Sequence, residues 1–303
     1  MRSQPRSQEI IRMFLLLTSA SLLVGCQPAA TVPLQSTLSP TATLLPSPTP
    51  NVQLTSSSAQ TTEAQPLCEE SGSIRSYTLA SELLGEALDF DVYLPPCYDS
   101  ASGQTYPVIY LLHGQWQNTA LWQTIGIQPT ADELILSGQR QPFLIVMPYE
   151  KYYFRPAENN HYPDALVQEL LPWVEDNLAA CGQKECRAIG GISRGAAWAT
   201  RLALQNPDMF SALGAHSMSP FNGDIEELPD WVATIPQDEL PRIYLDVGAS
   251  DPTVKDALAF EQTLNTLGVA HEWHLNSGRH NETYWSEQIA NYLSWYTLNW
   301  MEE

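Results

Sequence analysis

Basic residues are scarce in this chain. Fourteen Lys and Arg stand against 34 Asp and Glu in 303 residues, a net charge of −20 with histidine neutral. So acidic a surface repels polyanions, which argues against nucleic acid or anionic lipid as a partner. Cysteine is sparse as well, five in all, and no pair has C-x-x-C spacing. With no histidine nearby, a zinc site is disfavoured, and neither a metal nor an organic cofactor is expected. A membrane-spanning run is missing near the start. Met13 to Val24 is mostly apolar but only twelve residues long, short of the roughly 20 that a helix needs to cross a bilayer. No internal repeat is visible.

That short apolar run has company. Arg2, Arg6 and Arg12 give it a basic flank, and it ends in Leu23-Val24-Gly25-Cys26. This is the pattern of a targeting segment. Its last four residues resemble a bacterial lipobox, where the cysteine is lipidated and the chain is cut before it. Residues 1–26 are therefore expected to be a lipoprotein signal, with Cys26 lipidated. An ordinary secretory signal is the alternative. The protein is expected to be exported and lipid-anchored to the cell envelope, on its extracellular face or in the periplasm.

Residues 27–66 hold 21 Ser, Thr and Pro and one charge, Glu63. Such a stretch buries too little apolar surface to offset its ordering entropy, and reads as a disordered tether. As a flexible coil it spans about 35 Å. Residues 67–303 have the size of one α/β domain. Four cysteines fall there, and an even number in an exported chain predicts two disulfides. Cys181 and Cys186 most simply close their own short loop. Cys68 then pairs with Cys97 and pins the first strand to the sheet.

Strand-like and helix-like runs alternate through the domain. Ser76 to Leu79 and Leu88 to Leu94 suggest an antiparallel pair. Pro107 to Leu112 and Phe143 to Met147 are near-continuous apolar runs, as strands buried on both faces require. Tyr162 to Leu178 has helical periodicity. Cys186 to Gly190, Ser211 to His216, Arg242 to Val247 and Val269 to Leu275 complete the strands. Ala196 to Asn206, Ala257 to Leu267 and Glu287 to Trp300 are the remaining helices. The fold class is α/β, with a mostly parallel central sheet of about eight strands covered by helices on both faces.

The chemistry gathers at Gly190-Gly191-Ile192-Ser193-Arg194-Gly195. A G-x-S-x-G turn between strand and helix is a nucleophile elbow, with the serine exposed at its apex. Flanking glycines remove the Cβ atoms that would clash where strand and helix cross. A serine needs a base, and in this architecture an acid and then a histidine follow it along the chain. Asp251 lies in the loop beyond a strand and is the chosen acid. Asp246, inside that strand, is the fallback. His280 lies in the loop before the last helix and is the chosen base. His271 and His274 belong to a strand and face opposite ways, so they do not form a metal pair. Oxyanion donors are expected from the backbone N–H of Arg194 and from that of Gln115, after the turn at Gly114. His113 reads as a structural residue rather than a base. Trp116, Tyr149, Tyr152 and Trp285 are candidates to line an acyl or sugar pocket; Trp122 and Tyr153 are weaker ones.

Longer stretches carry a resemblance. Val92-Tyr93-Leu94-Pro95-Pro96-Cys97-Tyr98, Tyr106 through Gly114, Glu169 through Glu175, the elbow, Leu202 through Phe210, and Gly278-Arg279-His280 together resemble the esterase D-like family of α/β-hydrolases. That family includes feruloyl and acetyl-xylan esterases, S-formylglutathione hydrolase, ferric-enterobactin esterases and mycolyltransferases. The resemblance spans nearly all of residues 70–300 and implies the same site: Ser193, Asp251 and His280, with the N–H groups of Gln115 and Arg194. Two positions depart from the pattern. The residue after the serine is usually Met or Phe and here is Arg194. Glucuronoyl esterases, a different family, carry Arg there. The Arg194 side chain is thus open to three roles: oxyanion support, recognition of an acidic substrate, or a structural ion pair. Gly278-Arg279-His280 also replaces the usual Gly-Gly-His.

The resemblance implies a secreted serine carboxylesterase, acting on a small or polysaccharide-linked ester such as feruloyl or acetyl groups of plant cell walls. An acyltransferase or siderophore esterase of the same family is an alternative. A non-catalytic lipoprotein that keeps the hydrolase fold as a binding surface is another.

Overall fold

The computed structural model describes residues 68–300. The expected signal, with Cys26, and the expected tether lie outside the described residues. Eight strands form one sheet: β1 (Ser73–Ser81), β2 (Glu86–Leu94), β3 (Val108–Leu112), β4 (Leu144–Pro148), β5 (Arg187–Ile192), β6 (Ala212–His216), β7 (Arg242–Gly248) and β8 (Glu272–Asn276). Their order is β1-β2-β4-β3-β5-β6-β7-β8. β1 pairs antiparallel with β2, and β2 antiparallel with β4. From β4 across to β8 every neighbouring pair is parallel.

The helices are α1 (Ala120–Thr124), α2 (Ile127–Leu136), α3 (Tyr162–Ala165), α4 (Leu171–Asn177), α5 (Arg194–Gln205), α6 (Asp224–Ala233), α7 (Val254–Leu267) and α8 (Glu282–Tyr296). They cover both faces. β3 shows why its sequence is apolar throughout. Val108, Tyr110 and Leu112 pack on the face covered by α4, α5 and α7, while Ile109 and Leu111 pack on the face covered by α1, α2 and α8. A strand buried on both sides has no polar alternation to show.

Several expected elements differ in detail. The helix expected over Tyr162–Leu178 is interrupted by a π-helical turn at Leu166–Leu170, between α3 and α4. Pro172 has no N–H, and its ring excludes the carbonyl four residues earlier, so the ladder widens ahead of it. α1, α2 and α6 were not expected. α1 is one turn long, and α2 and α6 contain Pro129 and Pro229, which read as breakers. The last helix starts earlier than its apolar pattern, because the Asn281 side chain caps it by accepting from the Tyr284 N–H at 3.1 Å.

Both expected disulfides are present. Cys68 and Cys97 have Cα atoms 5.9 Å apart and enclose the β1–β2 hairpin. Cys181 and Cys186 close the loop before β5, with Cα atoms 5.8 Å apart.

Candidate active site

Ser193 sits between β5 and α5 with φ of 56°, a value an L residue adopts only at a cost. The surroundings enforce it. A Cβ at Gly191 would lie 2.4 Å from the Gly195 carbonyl carbon, and one at Gly195 would lie 2.2 Å from the Leu112 oxygen. Only glycine lets strand, turn and helix approach so closely. The Ser193 N–H donates to His216 O at 2.8 Å, which fixes the turn to the end of β6.

The parallel register aligns the strand ends. Ile192 pairs with His216, His216 with Asp246, and Asp246 with His274. The loops beyond these ends converge, as they do at the carboxyl edge of parallel sheets. The loop after β7 meets the loop after β8: the Ala249 N–H donates to Asn276 O at 2.7 Å and the Ser250 N–H to Gly278 O at 2.9 Å. There Nδ1 of His280 meets both oxygens of Asp251, at 3.0 and 2.9 Å. A carboxylate can only accept, so Nδ1 carries the proton and Nε2 is left with its lone pair. Asp251 also accepts from the Thr253 N–H at 2.8 Å and from its hydroxyl at 2.7 Å. Burial opposes the charge on Asp251, but the hydrogen bonds from His280 and Thr253 outweigh it and hold the carboxyl below its usual 3.8. Trp285, buried, sets its ring edge-on to His280 at 5.2 Å and donates to the Ser217 hydroxyl at 3.0 Å.

Asp246 has other partners. Its Oδ1 is 2.7 Å from Nδ1 of buried His216, and its Oδ2 accepts from the hydroxyls of Tyr284 and Tyr292 at 2.5 and 2.7 Å. Nε2 of His216 lies 2.9 Å from the Tyr296 hydroxyl. This second His–Asp pair is sealed in the core, and the sequence reading had not found it. Its members stand 30, 38, 46 and 80 residues apart, so no local pattern joins them.

Gly114 lies against the elbow: a Cβ there would sit 3.4 Å from the Ser193 Cβ. Beyond it, neither the Gln115 nor the Arg194 N–H donates to an acceptor among the described residues. The Arg194 side chain turns elsewhere. Its Nε meets the Glu150 carboxylate at 3.1 and 2.9 Å, and its Nη2 at 2.8 Å. Its guanidinium also faces the Phe221 ring at 4.8 Å. Of the three roles left open for this side chain, the geometry is that of an ion pair. Glu150 lies two residues beyond the end of β4, and no motif in the sequence marks it.

The candidate pocket aromatics divide. Trp116, 74% exposed, meets Tyr153 at a tilt of 54° with centroids 4.4 Å apart, and Tyr153 meets Phe154 edge-on at 5.8 Å. Tyr149 lies 5.5 Å from the His113 ring. Tyr152 is buried, its hydroxyl on Glu86. Trp122 and Trp285 are buried too. His274 stacks on Tyr244 at 4.5 Å. Among the described residues there is no group of three His, Cys, Asp or Glu placed to hold a metal, and no helix long and apolar enough to cross a membrane. A serine in an elbow, an imidazole oriented by a buried carboxylate, and two unpaired N–H groups suit nucleophilic acyl transfer.

A family model described as "Putative esterase" matches residues 81–296. An endo-1,4-beta-xylanase/feruloyl esterase of Xylanibacter ruminicola is 31% identical over 153 residues, 47% of this chain and 21% of that protein. The chain therefore spans about a fifth of that relative's length. Among solved structures, a ferulic acid esterase superposes with a TM-score of 0.67 at 23% identity, covering 76% of this chain and 99% of that one. An S-formylglutathione hydrolase of Staphylococcus aureus superposes with a TM-score of 0.64 at 19% identity, covering 75% and 100%. The fold is that of the α/β-hydrolases.

Proposed function

The chain belongs to the esterase family, and from that premise we propose that it hydrolyses carboxylic esters through an acyl-enzyme on Ser193. His280 Nε2 takes the hydroxyl proton as Oγ attacks the ester carbonyl. The N–H groups of Gln115 and Arg194 receive the tetrahedral oxyanion. His280 then gives the proton to the departing alcohol. Water, deprotonated in turn by His280, attacks the acyl carbonyl; the bond to Oγ breaks, the acid leaves and His280 returns the proton to Oγ. Asp251 holds the imidazole in the required tautomer and stabilises its charged form. The observation that supports this most is the two-oxygen contact between Asp251 and His280, at the sheet edge where Ser193 occupies its strained turn.

The substrate in this reading is a feruloyl or acetyl ester of plant cell-wall polysaccharide. The feruloyl esterase name of the Xylanibacter relative supports it. So does the aromatic cluster of exposed Trp116 and Phe154 around half-buried Tyr153, with Trp116 two residues beyond Gly114. Open aromatic faces suit sugar rings or an aromatic acid better than a short free acyl chain. Export and lipid anchoring through Cys26 complete the proposal. Purified residues 67–303 should hydrolyse p-nitrophenyl esters and release ferulate or acetate from xylan, and a fluorophosphonate probe should label Ser193. Ser193→Ala should abolish both; activity above a few percent of wild type would remove Ser193 from the role. Acyl groups passing to added sugar rather than to water would make the enzyme a transferase. Palmitate labelling that survives Cys26→Ser would remove the anchor.

A further inference from the structure

His113 is buried beside the elbow, and both of its ring nitrogens are occupied. The Glu150 N–H donates to Nε2 at 2.9 Å. A backbone N–H cannot accept, so Nε2 must be the acceptor and Nδ1 must carry the proton. Nδ1 lies 2.8 Å from Gly114 O. The same oxygen accepts from the Gln117 N–H at 3.2 Å. From the other side, Gly114 donates its own N–H to the Gln117 side-chain oxygen at 3.0 Å.

Gly114 O belongs to the peptide unit that carries the Gln115 N–H. In a trans peptide these two groups point in opposite directions. Two donors on the carbonyl therefore set where the N–H points, and this N–H has no acceptor among the described residues. Donation to the carbonyl also polarises the unit and strengthens its N–H as a donor. Burial pushes the His113 imidazole below its usual 6.5 and keeps it neutral. The charged groups facing it are the Glu150 carboxylate and the Arg194 guanidinium, which neutralise each other. Glu150 thus touches both sides of the site. Its amide holds His113, and its carboxylate holds the side chain of Arg194, the residue that supplies the second unpaired N–H.

We infer that His113 and Gln117 are positioning residues that aim the Gln115 N–H at the oxyanion, and that Glu150 links this peptide to Arg194 so the two donors keep a fixed separation. The inference rests on the proposed serine-esterase reading.

The two ring nitrogens can be replaced one at a time. An Asn amide nitrogen occupies the place of Nδ1, so His113→Asn keeps a donor for Gly114 O and loses the tie to Glu150. A Gln side-chain oxygen occupies the place of Nε2, so His113→Gln keeps the tie to Glu150 and loses the donor. With p-nitrophenyl acetate, His113→Gln should lower kcat about 10²-fold, the scale of losing one oxyanion donor, with KM within about twofold. His113→Asn should lower kcat by less than about tenfold. Both should lose similar thermal stability, since each forfeits one buried hydrogen bond. Equal kcat losses, or losses that follow the melting temperature, would overturn the inference. Should neither variant fold, Gln117→Ala decides. Gln117→Ala leaves the 117 N–H on Gly114 O and removes the side-chain oxygen that holds the Gly114 N–H from the other side; it should lower kcat at least about threefold with KM held, and an unchanged kcat overturns the inference. A wild-type protein that hydrolyses no ester and takes no fluorophosphonate defeats the esterase reading and this inference together. An active wild type with indifferent variants defeats the inference alone.

Discussion

Replacing Arg194 by Met separates what its side chain does from what its backbone does. Met removes the guanidinium while keeping an unbranched side chain, and the 194 N–H survives the change. The side chain is 11% exposed and its partner Glu150 3%. Three contacts of 2.8 to 3.1 Å join them. After the substitution the Glu150 carboxylate keeps one side-chain donor, Asn160 Nδ2 at 2.9 Å. Removing one member of a buried pair costs about 3–5 kcal/mol, because the remaining charge stays in the interior. In a domain of this size that lowers the melting temperature by roughly 6–20 °C. Scanning calorimetry measures it directly. Adding Glu150→Gln should recover part of the loss, because the stranded charge is then gone. Turnover should fall less than about tenfold, well short of the 10²–10³ that a lost oxyanion donor costs. A hundredfold fall in kcat with an unchanged melting temperature would refute the ion-pair reasoning and bring the guanidinium back to the oxyanion.

Other outcomes follow from the same geometry. Asp251→Asn should lower kcat by about 10⁴, as triad aspartates do, while Asp246→Asn should mainly cost stability; the reverse pattern in paired kinetic and melting measurements would exchange their roles. Asp251 is depressed by its hydrogen bonds, so its stabilisation is full above its ordinary 3.8 and is lost as pH falls through its folded value. Melting curves of wild type and Asp251→Asn should therefore stay apart at pH 4 and converge only below the usual 3.8, as the folded carboxyl takes up its proton. His113 is likewise depressed, and protonation is disfavoured in the fold. Stability should drop as pH falls below 6.5 in wild type and less so in His113→Asn. Cys97→Ser should cost about 3–4 kcal/mol by the entropy of the 29-residue separation it closes, read as a shift in denaturation midpoint.

Much of this arrangement was visible along the chain. Val108–Leu112 and Leu144–Pro148 are apolar at every position because both faces are covered, and the elbow glycines are spaced by a steric need that any strand–turn–helix crossing shares. Asp251 could be preferred over Asp246 because one follows its strand and the other lies within it. What stayed hidden depends on distant partners. Nothing around Arg194 announces Glu150, 44 residues earlier. His216 and Asp246 look like ordinary strand residues until Tyr284, Tyr292 and Tyr296 arrive on a helix from the end of the chain. α2 and α6 were missed because a proline near a helix start and one inside a helix look alike in a local window. Where periodicity or sterics acts locally the sequence could be read, and where folding brings polar groups together from afar it could not.

The Cys68–Cys97 bridge has a mechanical consequence. β1 lies at the edge of the sheet, held by its pairing to β2, and a pull on the chain ahead of it would peel such a strand away one rung at a time. The bridge joins the chain just before β1 to the chain just after β2. Tension applied upstream of Cys68 therefore passes through sulfur to Cys97 and skips the hairpin. The load then reaches β3, an interior strand paired on both sides, where rungs must shear together instead of opening singly. Reduction of this one bond would turn a shearing geometry into an unzipping one, and the force needed to unfold the domain from its amino-terminal side should drop accordingly.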